Sequence, residues 1–439
     1  MATAPSVRLL FICPHYAPDT APTGEVITSI GNELIARGHE LQVVTSLPWY
    51  REHRIEPGWG GRLVRREKTE WGQVSRVHPF PTDKRNIPAR ALAFGGFTLL
   101  ATLTAMFGRR DRRRPDAVLA MSPPLTLGGA GWLAARRWRV PYVFNIQDVF
   151  PDVAVEVGAI TNPTVIRASR WLERWSYRRA DAVTVLSDDL GENLRAKLRG
   201  KSGRRLPRLP GLGRTIDPQD RVRVIPNFVD TEWIRPEPPG APNAYRREHG
   251  LEGRRVVMYA GNVGFSQSLE LVLAAARALV DRPEVVFVIN GGGSALDDLR
   301  AQAADLPNVR FVGYQPKERL PEVLAAADIH VVPLRRGLAA SSVPSKTYSI
   351  MAAGRPIVAA VDEGTEVARV VETAAAGLAV PPEDPESFVA AVTKLVDAPE
   401  LSAQMGQSAR TFVERWASPA AVALQYELLF QELRERRGL

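Results

Sequence analysis

The chain has 439 residues, of which 45% are hydrophobic and 24% are charged. These fractions exclude a disordered, collagen-like or fibrous chain, and the length is enough for two or three domains. The single cysteine, Cys13, excludes a disulfide framework and a cysteine-based metal site, and it favours a reducing compartment.

The net charge of +9 is unevenly distributed along the chain. Residues 1–250 hold 38 Lys and Arg against 25 Asp and Glu, a net charge of +13, whereas residues 251–439 hold 19 against 23, a net charge of −4. A basic half joined to a mildly acidic half predicts two domains with different partners. The basic residues are dispersed and lack a nucleic-acid recognition motif or an interleaved aromatic platform, which argues against a nucleic-acid-binding protein.

Short apolar runs alternate with helical stretches in the first half, which predicts right-handed crossovers and a parallel sheet. A helix is predicted from Gly24, because Ile27, Ile30 and Leu34 share one face, and Gly38 ends it. The runs predicted as strands are 7–13, 40–45, 116–121, 140–145, 181–186 and 222–226.

One stretch, residues 91–108, contains no charged residue and is bracketed by Arg90 and Arg109. Its 18 residues are at the lower limit for a membrane span, and Gly95 and Gly96 reduce its hydrophobicity. Two interpretations stay open: a buried domain helix, and a helix that lies on a membrane surface with the neighbouring arginines on anionic headgroups. The apolar run at residues 9–13 is too short for the core of a secretion signal.

The second half repeats the alternation after a linker rich in proline at residues 236–242. Residues 200–220 lack periodicity and are predicted to be a mobile surface insertion. We expect an N-terminal domain over 1–236 and a C-terminal domain over 244–418, with a final helix, 419–439, that packs back on the first domain. In doubly wound sheets ligands bind beyond the carboxyl ends of the strands, here in a cleft between the domains. The strands predicted in the second half are 256–260, 285–289, 309–312, 329–332 and 356–359.

Two glycine loops each connect a predicted strand to a predicted helix. The first ends at Gly24, where a glycine lets a substrate approach the backbone and the helix N-terminus attracts anions. The second, residues 261–267, offers backbone N–H groups and small polar side chains to a diphosphate. It lacks the Gly-Lys-Ser/Thr ending of a Walker A loop and the spacing of a dinucleotide fingerprint, and a tight turn that needs glycine for shape is an equal alternative.

A third segment, residues 343–356, predicts a loop, a helix of about two turns and a stop at Gly354. Ser345 and Lys346 fall in the first turn of this helix. A lysine there opposes the helix dipole, and a bound phosphate relieves that conflict. A solvated lysine is the alternative.

These segments together resemble a known enzyme family: the retaining, nucleotide-sugar-dependent glycosyltransferases of family four, which have the GT-B architecture. The resemblance spans almost the whole chain, and it is closest to the branch that builds colanic-acid, O-antigen and capsule repeat units, including N-acetyl-L-fucosamine transferases. The markers, in chain order, are Cys13-Pro-His-Tyr-Ala-Pro18, Arg37-Gly-His-Glu40, Asn145-Ile-Gln-Asp148, Val224-Ile-Pro-Asn-Phe-Val-Asp230, Tyr259-Ala-Gly-Asn-Val-Gly264, Phe311-Val-Gly-Tyr314, Pro344-Ser-Lys346 and Met351-Ala-Ala-Gly354.

For the donor, the resemblance implies a diphosphate loop and a cation. Many members carry an arginine where this chain has Asn262 and a lysine where it has Gln267, so Lys346 is the best remaining cation to neutralise the leaving diphosphate. Many members also carry two glutamates at the donor sugar, at positions that fall on Ser341 and Ser349. Glu363 and Glu366 are candidate replacements, with a plain surface pair as the alternative. The remaining donor-site candidates are Gly261, Gly264, Ser266, Gly313, Tyr314 and Ser345.

For the acceptor side, the resemblance points to Asp148, which we expect to contact the acceptor hydroxyl or orient the sugar. The family often has histidine where this chain has Gln147. His15 is a second ionisable candidate, with a structural hydrogen bond as its alternative, and Thr23 and Gly24 complete the loop. Such enzymes transfer the sugar with retention through positioning and electrostatic stabilisation of the diphosphate. The nucleotide-sugar is a substrate, and neither a cofactor nor a metal is expected.

We therefore expect an α/β enzyme of GT-B fold, with two Rossmann-like doubly wound parallel-sheet domains. It is expected to move a hexosyl or acetamido sugar from a nucleotide-sugar, UDP favoured, to a lipid-linked or polysaccharide-precursor acceptor. The basic first half favours a cytoplasmic protein that is peripheral on the inner face of the cell membrane. A sugar-nucleotide 2-epimerase of the same architecture is the alternative.

Overall fold

The computed structural model describes residues 6–51, 54–82, 87–108, 113–152, 155, 160–199, 218–238, 241–337 and 345–439. The chain forms two compact units, Met1–Pro226 with Val422–Leu439, and Asn227–Ala421. The division falls before the predicted boundary at residue 236, because the N–H of Val229 donates to the carbonyl of Ala417 and Ile234 joins the core of the second unit. Most of the predicted insertion at 200–220 lies outside the described residues, and its described end forms a 3-10 turn, Pro218–Arg221.

The first unit is built on an eight-stranded sheet flanked by helices. Its strands are β1 Arg8–Ile12, β2 Glu40–Ser46, β3 Val64–Thr69, β4 Gly72–Val77, β5 Ala117–Ser122, β6 Tyr142–Ile146, β7 Ala182–Val185 and β8 Val222–Val224. Its described helices are α1 Pro22–Ala36, α2 Ile87–Phe107, α3 Leu127–Trp138, α4 Pro163–Arg179 and α5 Asp188–Arg199.

The strand order in this sheet is β3-β4-β2-β1-β5-β6-β7-β8. All neighbouring strands pair in parallel except β3, which pairs antiparallel with β4, with Val64 opposite Val77 and Thr69 opposite Gly72. The sequence analysis missed this hairpin, although a turn at Glu70 and Trp71 separates two short runs of strand length. The parallel-sheet prediction therefore holds except at this edge.

Helix α2 contains the uncharged stretch and is partly buried. One side of the helix enters the core of the first unit through Phe97, Ala101 and Ala105. The opposite side leaves large apolar side chains exposed, so α2 is neither wholly buried nor wholly on the surface. In the residues that the structure describes, no helix is long and apolar enough to cross a membrane. The exposed apolar side chains are Leu92, Leu99, Leu103 and Phe107.

The second unit contains a six-stranded sheet in which every described pairing is parallel. The strand order is β11-β10-β9-β12-β13-β14. Its strands are β9 Arg255–Ala260, β10 Val285–Asn290, β11 Val309–Val312, β12 Ile329–Pro333, β13 Ile357–Ala360 and β14 Gly377–Val380. Its described helices are α6 Ala244–Glu248, α7 Glu270–Ala278, α8 Leu296–Gln302, α9 Leu320–Ala325, α10 Ser345–Ala352, α11 Glu366–Thr373, α12 Pro385–Asp397 and α13 Pro399–Trp416, with a 3-10 turn at Lys317–Arg319.

The last helix, α14 Pro419–Glu435, begins in the second unit and continues into the first. In the first unit it is held by polar contacts as well as by its buried Phe430. Arg37 Nε donates to Glu427 Oε2 at 2.5 Å. Beyond the end of the helix, Arg437 pairs with both carboxylate oxygens of Asp181 at 2.7 and 2.8 Å.

Candidate active site

Each sheet has one topological switch point, where two neighbouring strands are followed by connections that lead to opposite edges of the sheet. In the first unit this switch lies between β1 and β5, and in the second it lies between β9 and β12. Loops at the carboxyl ends of strands beside such a switch are where doubly wound sheets bind ligands. The loop after β1 carries His15 and leads to α1, and the loop after β9 begins at Gly261.

The loop after β9 is packed against the loop after β10 so closely that glycine is required in both. Gly261 has φ +150° and Gly291 has φ +149°, and a Cβ on Gly291 would lie 1.9 Å from the carbonyl oxygen of Gly261. A Cβ on Gly293 would lie 2.3 Å from the carbonyl oxygen of Val263. The two loops therefore present backbone, without intervening side chains, at the end of the sheet.

Several backbone N–H groups of this loop are available to a ligand. The N–H of Gly264 donates to Gln267 Oε1 at 3.1 Å, whereas those of Asn262, Phe265 and Ser266 make no hydrogen bond to any described residue. A turn through Ser266 and Gln267 separates the loop from the next helix, so α7 begins at Glu270. Free N–H groups in a glycine loop suit a phosphate.

Lys346 lies in the first turn of α10, and its side chain reaches the same loop. Its Nζ lies 3.3 Å from the Tyr259 hydroxyl and 4.3 Å from the centre of that ring, and it would lie 3.7 Å from a Cβ on Gly261. Burial lowers the pKa of Lys346 to about 8. Among the described residues no carboxylate forms a salt bridge with it, so an anion that binds here meets an uncompensated cation.

The side chain of Gln267 and the main chain of Asn262 make hydrogen bonds within the loop itself. Gln267 accepts the Gly264 N–H, and the main chain of Asn262 accepts a hydrogen bond from the Tyr259 hydroxyl at 2.5 Å. Tyr314 is exposed, and its hydroxyl donates to the Gly292 carbonyl at 2.9 Å and lies 3.4 Å from Asn262 Oδ1. Neutral hydrogen bonds thus shape this loop at the two positions where many members of the family carry cations.

A second cation borders the loop but is already paired. Arg335 Nε donates to the Phe265 carbonyl at 2.7 Å, while its other nitrogens contact Glu270 at 2.8 Å and Glu383 at 3.4 Å. The sequence analysis did not find Arg335. Because two carboxylates neutralise Arg335, Lys346 is the cation beside this loop that has no carboxylate partner among the described residues.

The other donor-site candidates, near Gly313 and on α10, lie in more open surroundings. A Cβ on Gly313 would meet no atom within 4 Å, so the segment beside Tyr314 is open. Ser349 is partly buried one turn after Lys346 on α10. The backbone of Ser345 opens α10, and Ser341 lies outside the described residues.

The two candidate acids differ in their surroundings. Glu363 is exposed on a turn, whereas Glu366 is buried in the first turn of α11. The hydroxyl of Tyr348, on α10, lies 3.5 Å from Glu366 Oε1, and Arg369 donates to Oε2 at 3.0 Å. The fold thus brings Glu366, rather than Glu363, against the helix that carries Lys346.

In the first unit, a buried arginine makes hydrogen bonds to the loop after β1. Arg76 on β4 donates to the carbonyls of Tyr16 and Ala17 at 3.3 and 2.5 Å. His15 contacts Asp19, with Nδ1 2.7 Å from Oδ2. A Cβ on Gly24 would lie 2.8 Å from the His15 Cβ, which explains the glycine beside Thr23 at the start of α1.

The residues after β6 end a buried polar network. Gln147 Nε2 donates to Asn145 Oδ1 at 2.8 Å, and Asn145 Nδ2 donates to the Tyr426 hydroxyl at 2.7 Å and to Thr184 Oγ1 at 3.0 Å. Gln147 is therefore fixed through Asn145 by the C-terminal helix. Asp148 follows at the exposed end of the strand, and partial desolvation of its carboxylate raises its pKa above the ordinary value.

Sequence reasoning missed several residues of these loops: Asp19, Trp49, Tyr50 and Arg335. Asp19 follows His15 by four residues, but that spacing brings side chains together only on a helix, and this segment is not helical. Within the described parts of the chain, no three His, Cys, Asp or Glu side chains are grouped so as to hold a metal ion.

The two sheets are mostly parallel, and each has a candidate ligand loop at its switch point: a polar loop in the first unit and a loop suited to an anion in the second. These features are those of a two-domain α/β enzyme of the GT-B class. Family models agree with this class. A glycosyl transferase 4-like domain matches residues 23–208, and a glycosyl transferases group 1 domain matches residues 243–412.

Individual proteins extend the match over most of the chain. The "Putative colanic acid biosynthesis glycosyl transferase WcaI" of Escherichia coli K12 is 25% identical over 429 residues, which cover 96% of this chain and 98% of that protein. D-inositol 3-phosphate glycosyltransferase 2 of Catenulispora acidiphila is 30% identical, over 71% of this chain and 70% of that one. The crystal structure of HepE of Anabaena in complex with UDP covers 97% of this chain and 100% of that one, with 16% identity and a TM-score of 0.63.

The chain therefore belongs to the glycosyltransferases of family four, group 1, and it has the GT-B fold. It is an enzyme of the glycosyltransferase class. The relatives reported above are named as glycosyltransferases, and they give no support to the epimerase alternative.

Proposed function

We propose that this enzyme transfers a sugar, with retention of anomeric configuration, from a UDP-sugar to a polyprenyl-diphosphate-linked acceptor in cell-surface polysaccharide biosynthesis. The observation that carries the proposal is the ammonium group of Lys346, which lies beside the glycine loop after β9 without a carboxylate partner in the described chain. A nucleoside diphosphate supplies the anion that this arrangement lacks. The name of the Escherichia coli relative favours colanic acid or a similar glycan, and the UDP complex of HepE favours uridine.

The chemistry of the proposal is electrostatic. As the bond between the anomeric carbon and the diphosphate breaks, negative charge develops on the leaving diphosphate. The N–H groups of Asn262, Phe265 and Ser266 and the Lys346 ammonium group are fixed before the reaction, so they stabilise that charge without reorganising. No carboxylate nucleophile is required on this route, and neither a metal nor another cofactor is proposed.

For the acceptor we propose the first unit, with the loops that carry His15 and Asp148. Its helix α2 exposes Leu99, Leu103 and Phe107 on the side opposite its buried face. An exposed apolar stripe on a basic domain suits the interface of an anionic membrane, where a lipid-linked acceptor is presented. We accordingly propose that the protein is peripheral on the inner face of the cell membrane.

A donor panel tests the proposal directly. The purified full chain is incubated with UDP- and GDP-sugars, including UDP-N-acetyl-L-fucosamine, and with lipid extract from the native membrane as acceptor. We expect transfer of one UDP-linked sugar to a lipid-extractable product with the donor's anomeric configuration. Transfer from GDP-sugars alone, an inverted product, or transfer that does not depend on the lipid extract would contradict the corresponding part of the proposal.

A further inference from the structure

Three tryptophan rings meet between α3 and α4 of the first unit. The rings of Trp132 and Trp175 lie edge to face with centroids 5.3 Å apart, and Trp171 stacks beside Trp175 at 6.5 Å. The guanidinium carbon of Arg179 lies 5.1 Å from the centre of the Trp132 ring and 5.6 Å from that of Trp175. That of Arg136 lies 5.9 Å from the Trp132 ring. Trp171 keeps 61% of its surface exposed, so the cluster faces solvent.

The arginines of these two helices are partly or fully exposed, and their charges are not compensated. None of them forms a salt bridge with a carboxylate of the described residues. Glu173 is the single acid on α4; it is buried and binds Lys197 at 2.5 Å, and α3 has no acid. Together with the three tryptophans, the arginines form what we call the tryptophan–arginine surface. They are Arg136 and Arg137 on α3 and Arg167, Arg170, Arg174, Arg178 and Arg179 on α4.

The fold gathers basic residues that are dispersed along the sequence. Four of the arginines on α4 recur at intervals of three and four residues, which places them in one stripe along the helix. The two helices pack closely, since a Cβ on Gly128 of α3 would lie 2.6 Å from Ser176 Oγ of α4. This clustering of uncompensated charge favours an anionic partner, and the neighbouring surface indicates which one.

The tryptophan–arginine surface continues onto α2. At the end of α3, Trp138 Nε1 donates to the carbonyl of Ala105 on α2 at 3.1 Å, and Arg137 lies over the Trp138 ring at 4.7 Å. Phe107, two residues after Ala105, is 63% exposed. An apolar stripe beside uncompensated arginines fits a lipid bilayer, which has acyl chains beneath its phosphate groups. A nucleic-acid duplex has phosphates with no apolar layer beneath them.

We propose that the tryptophan–arginine surface binds the phosphate groups of anionic phospholipids, with Trp171 inserted at the level of the headgroups. Arginine binds phosphate oxygens through two parallel N–H groups and keeps its charge at every physiological pH. Tryptophan prefers the headgroup level, because its ring is apolar and its N–H is polar. The inference rests on the proposed function, which places the acceptor at a membrane, and it assigns the electrostatic part of docking to α3 and α4.

Sedimentation of the full chain with vesicles tests this assignment. The vesicles contain phosphatidylcholine alone or mixed with phosphatidylglycerol. Binding should require phosphatidylglycerol, and raising NaCl from about 0.05 M to about 0.5 M should weaken it by about tenfold or more, because exposed charges are screened. At low salt, Arg170→Gln with Arg174→Gln should lower the vesicle affinity about 10- to 30-fold. Trp171→Ala should lower it about tenfold, because the exposed ring no longer enters the interface.

Two matched controls show whether the place of the residues matters. Arg62→Gln with Arg66→Gln removes the same charge from exposed positions of the same unit, and it should leave the vesicle affinity within about twofold of the wild type. Trp416→Ala removes another exposed tryptophan, on α13, with Arg415 over its ring at 5.1 Å, and it should leave the affinity unchanged. Circular dichroism and urea denaturation check that every variant folds as the wild type does.

The results that overturn the inference are specific. Wild-type affinity for the mixed vesicles in the Arg170 and Arg174 variant would remove the surface from docking. An equal loss in the Arg62 and Arg66 variant would show that net charge alone sets the binding. A short DNA duplex that binds more tightly than the vesicles, and whose binding falls in the Arg170 and Arg174 variant, would assign the surface to nucleic acid.

Failure of the proposed function itself is distinguishable, because vesicle binding requires neither donor nor acceptor. A chain that docks through the tryptophan–arginine surface and transfers no sugar would contradict the proposed function alone. A chain that transfers sugar to the lipid extract, with vesicle binding that none of these substitutions changes, would contradict this inference alone.

Discussion

The ammonium group of Lys346 lies 3.3 Å from the hydroxyl of Tyr259 and 4.3 Å above the centre of its ring. The same hydroxyl donates to the carbonyl of Asn262, in the loop where we propose that the diphosphate binds. One tyrosine thus connects the cation to the loop. The cation is held in a low-dielectric place where its attraction to a phosphate is strong and its own charging is costly.

Replacing Lys346 by methionine should separate activity from stability. The rate of transfer should fall by about 10²- to 10³-fold, because the variant loses the fixed positive charge that stabilises the leaving diphosphate. The free energy of unfolding of the free protein at pH 7 should rise by about 1 to 3 kcal/mol, because a desolvated charge is removed. Transfer assays and urea denaturation measure the two effects.

The matched control for that variant is Lys394→Met, at an exposed position on α12. It should leave the transfer rate unchanged and change the free energy of unfolding by no more than about 0.5 kcal/mol. An unchanged transfer rate in Lys346→Met would remove the phosphate role, and a less stable protein would show that the lysine serves the fold.

The affinity for UDP should depend on pH through the same lysine. The pKa of Lys346 is lowered to about 8 in the free protein, so the side chain is charged below pH 8 and neutral above it. A diphosphate binds the charged form and raises its pKa. Affinity should therefore be nearly constant up to about pH 7.5 and then fall toward tenfold per pH unit above pH 8.

Isothermal titration with UDP in buffers of different ionisation enthalpy measures this effect, because proton uptake should accompany binding above pH 8. In Lys346→Met the affinity should be weaker and the uptake absent. Equal affinity at pH 7 and pH 9.5 in the wild type would contradict the assignment of Lys346 to the diphosphate.

The glycine contact between the loops after β9 and β10 should tolerate no side chain. In Gly291→Ala the new Cβ would lie 1.9 Å from the Gly261 carbonyl oxygen at a φ of +149°. We expect a loss of about 3 kcal/mol or more in unfolding free energy, together with weaker UDP binding, as measured by urea denaturation and calorimetry.

Gly129→Ala serves as the control for that substitution. Gly129 lies inside α3, where a Cβ would meet only the Trp175 ring at 3.9 Å. Alanine there should be neutral or should stabilise the protein by about 0.5 to 1 kcal/mol. If Gly291→Ala were equally well tolerated, the two loops would not be packed as described.

Membrane docking should depend on the exposed stripe of α2. The double variant Leu99→Glu with Leu103→Glu should fold normally and lose most of its binding to vesicles that contain phosphatidylglycerol, because both side chains are exposed in the free protein. Vesicle sedimentation measures binding, and circular dichroism measures folding.

Two comparisons keep this prediction specific. Leu428→Glu changes another exposed leucine, on α14, and should leave vesicle binding unchanged. Phe97→Glu places a charge in the core and should unfold the first unit. Vesicle binding that survives in the double variant would assign docking, if any, to a different surface.

The sequence by itself determined most of the order of the strands and helices and the loops that we propose as ligand-binding loops. Apolar runs of strand length, glycines at strand ends and a lysine in the first turn of a helix are local signals, since each depends on the conformation of a few neighbouring residues. They correctly predicted the α/β class, the strand that ends before Gly261, and the helix of Ser345–Ala352.

Only the tertiary structure decided which side chains meet. Tyr259 and Lys346 are 87 residues apart, and Asn145 and Tyr426 are 281 apart, so no local pattern relates them. Their contacts follow from the order of the strands and from where α10 and α14 return to the sheets. Even the short-range pair of His15 and Asp19 needed the folded loop, because the segment is not helical and the Tyr50 N–H that fixes the carboxylate comes from the end of a different strand.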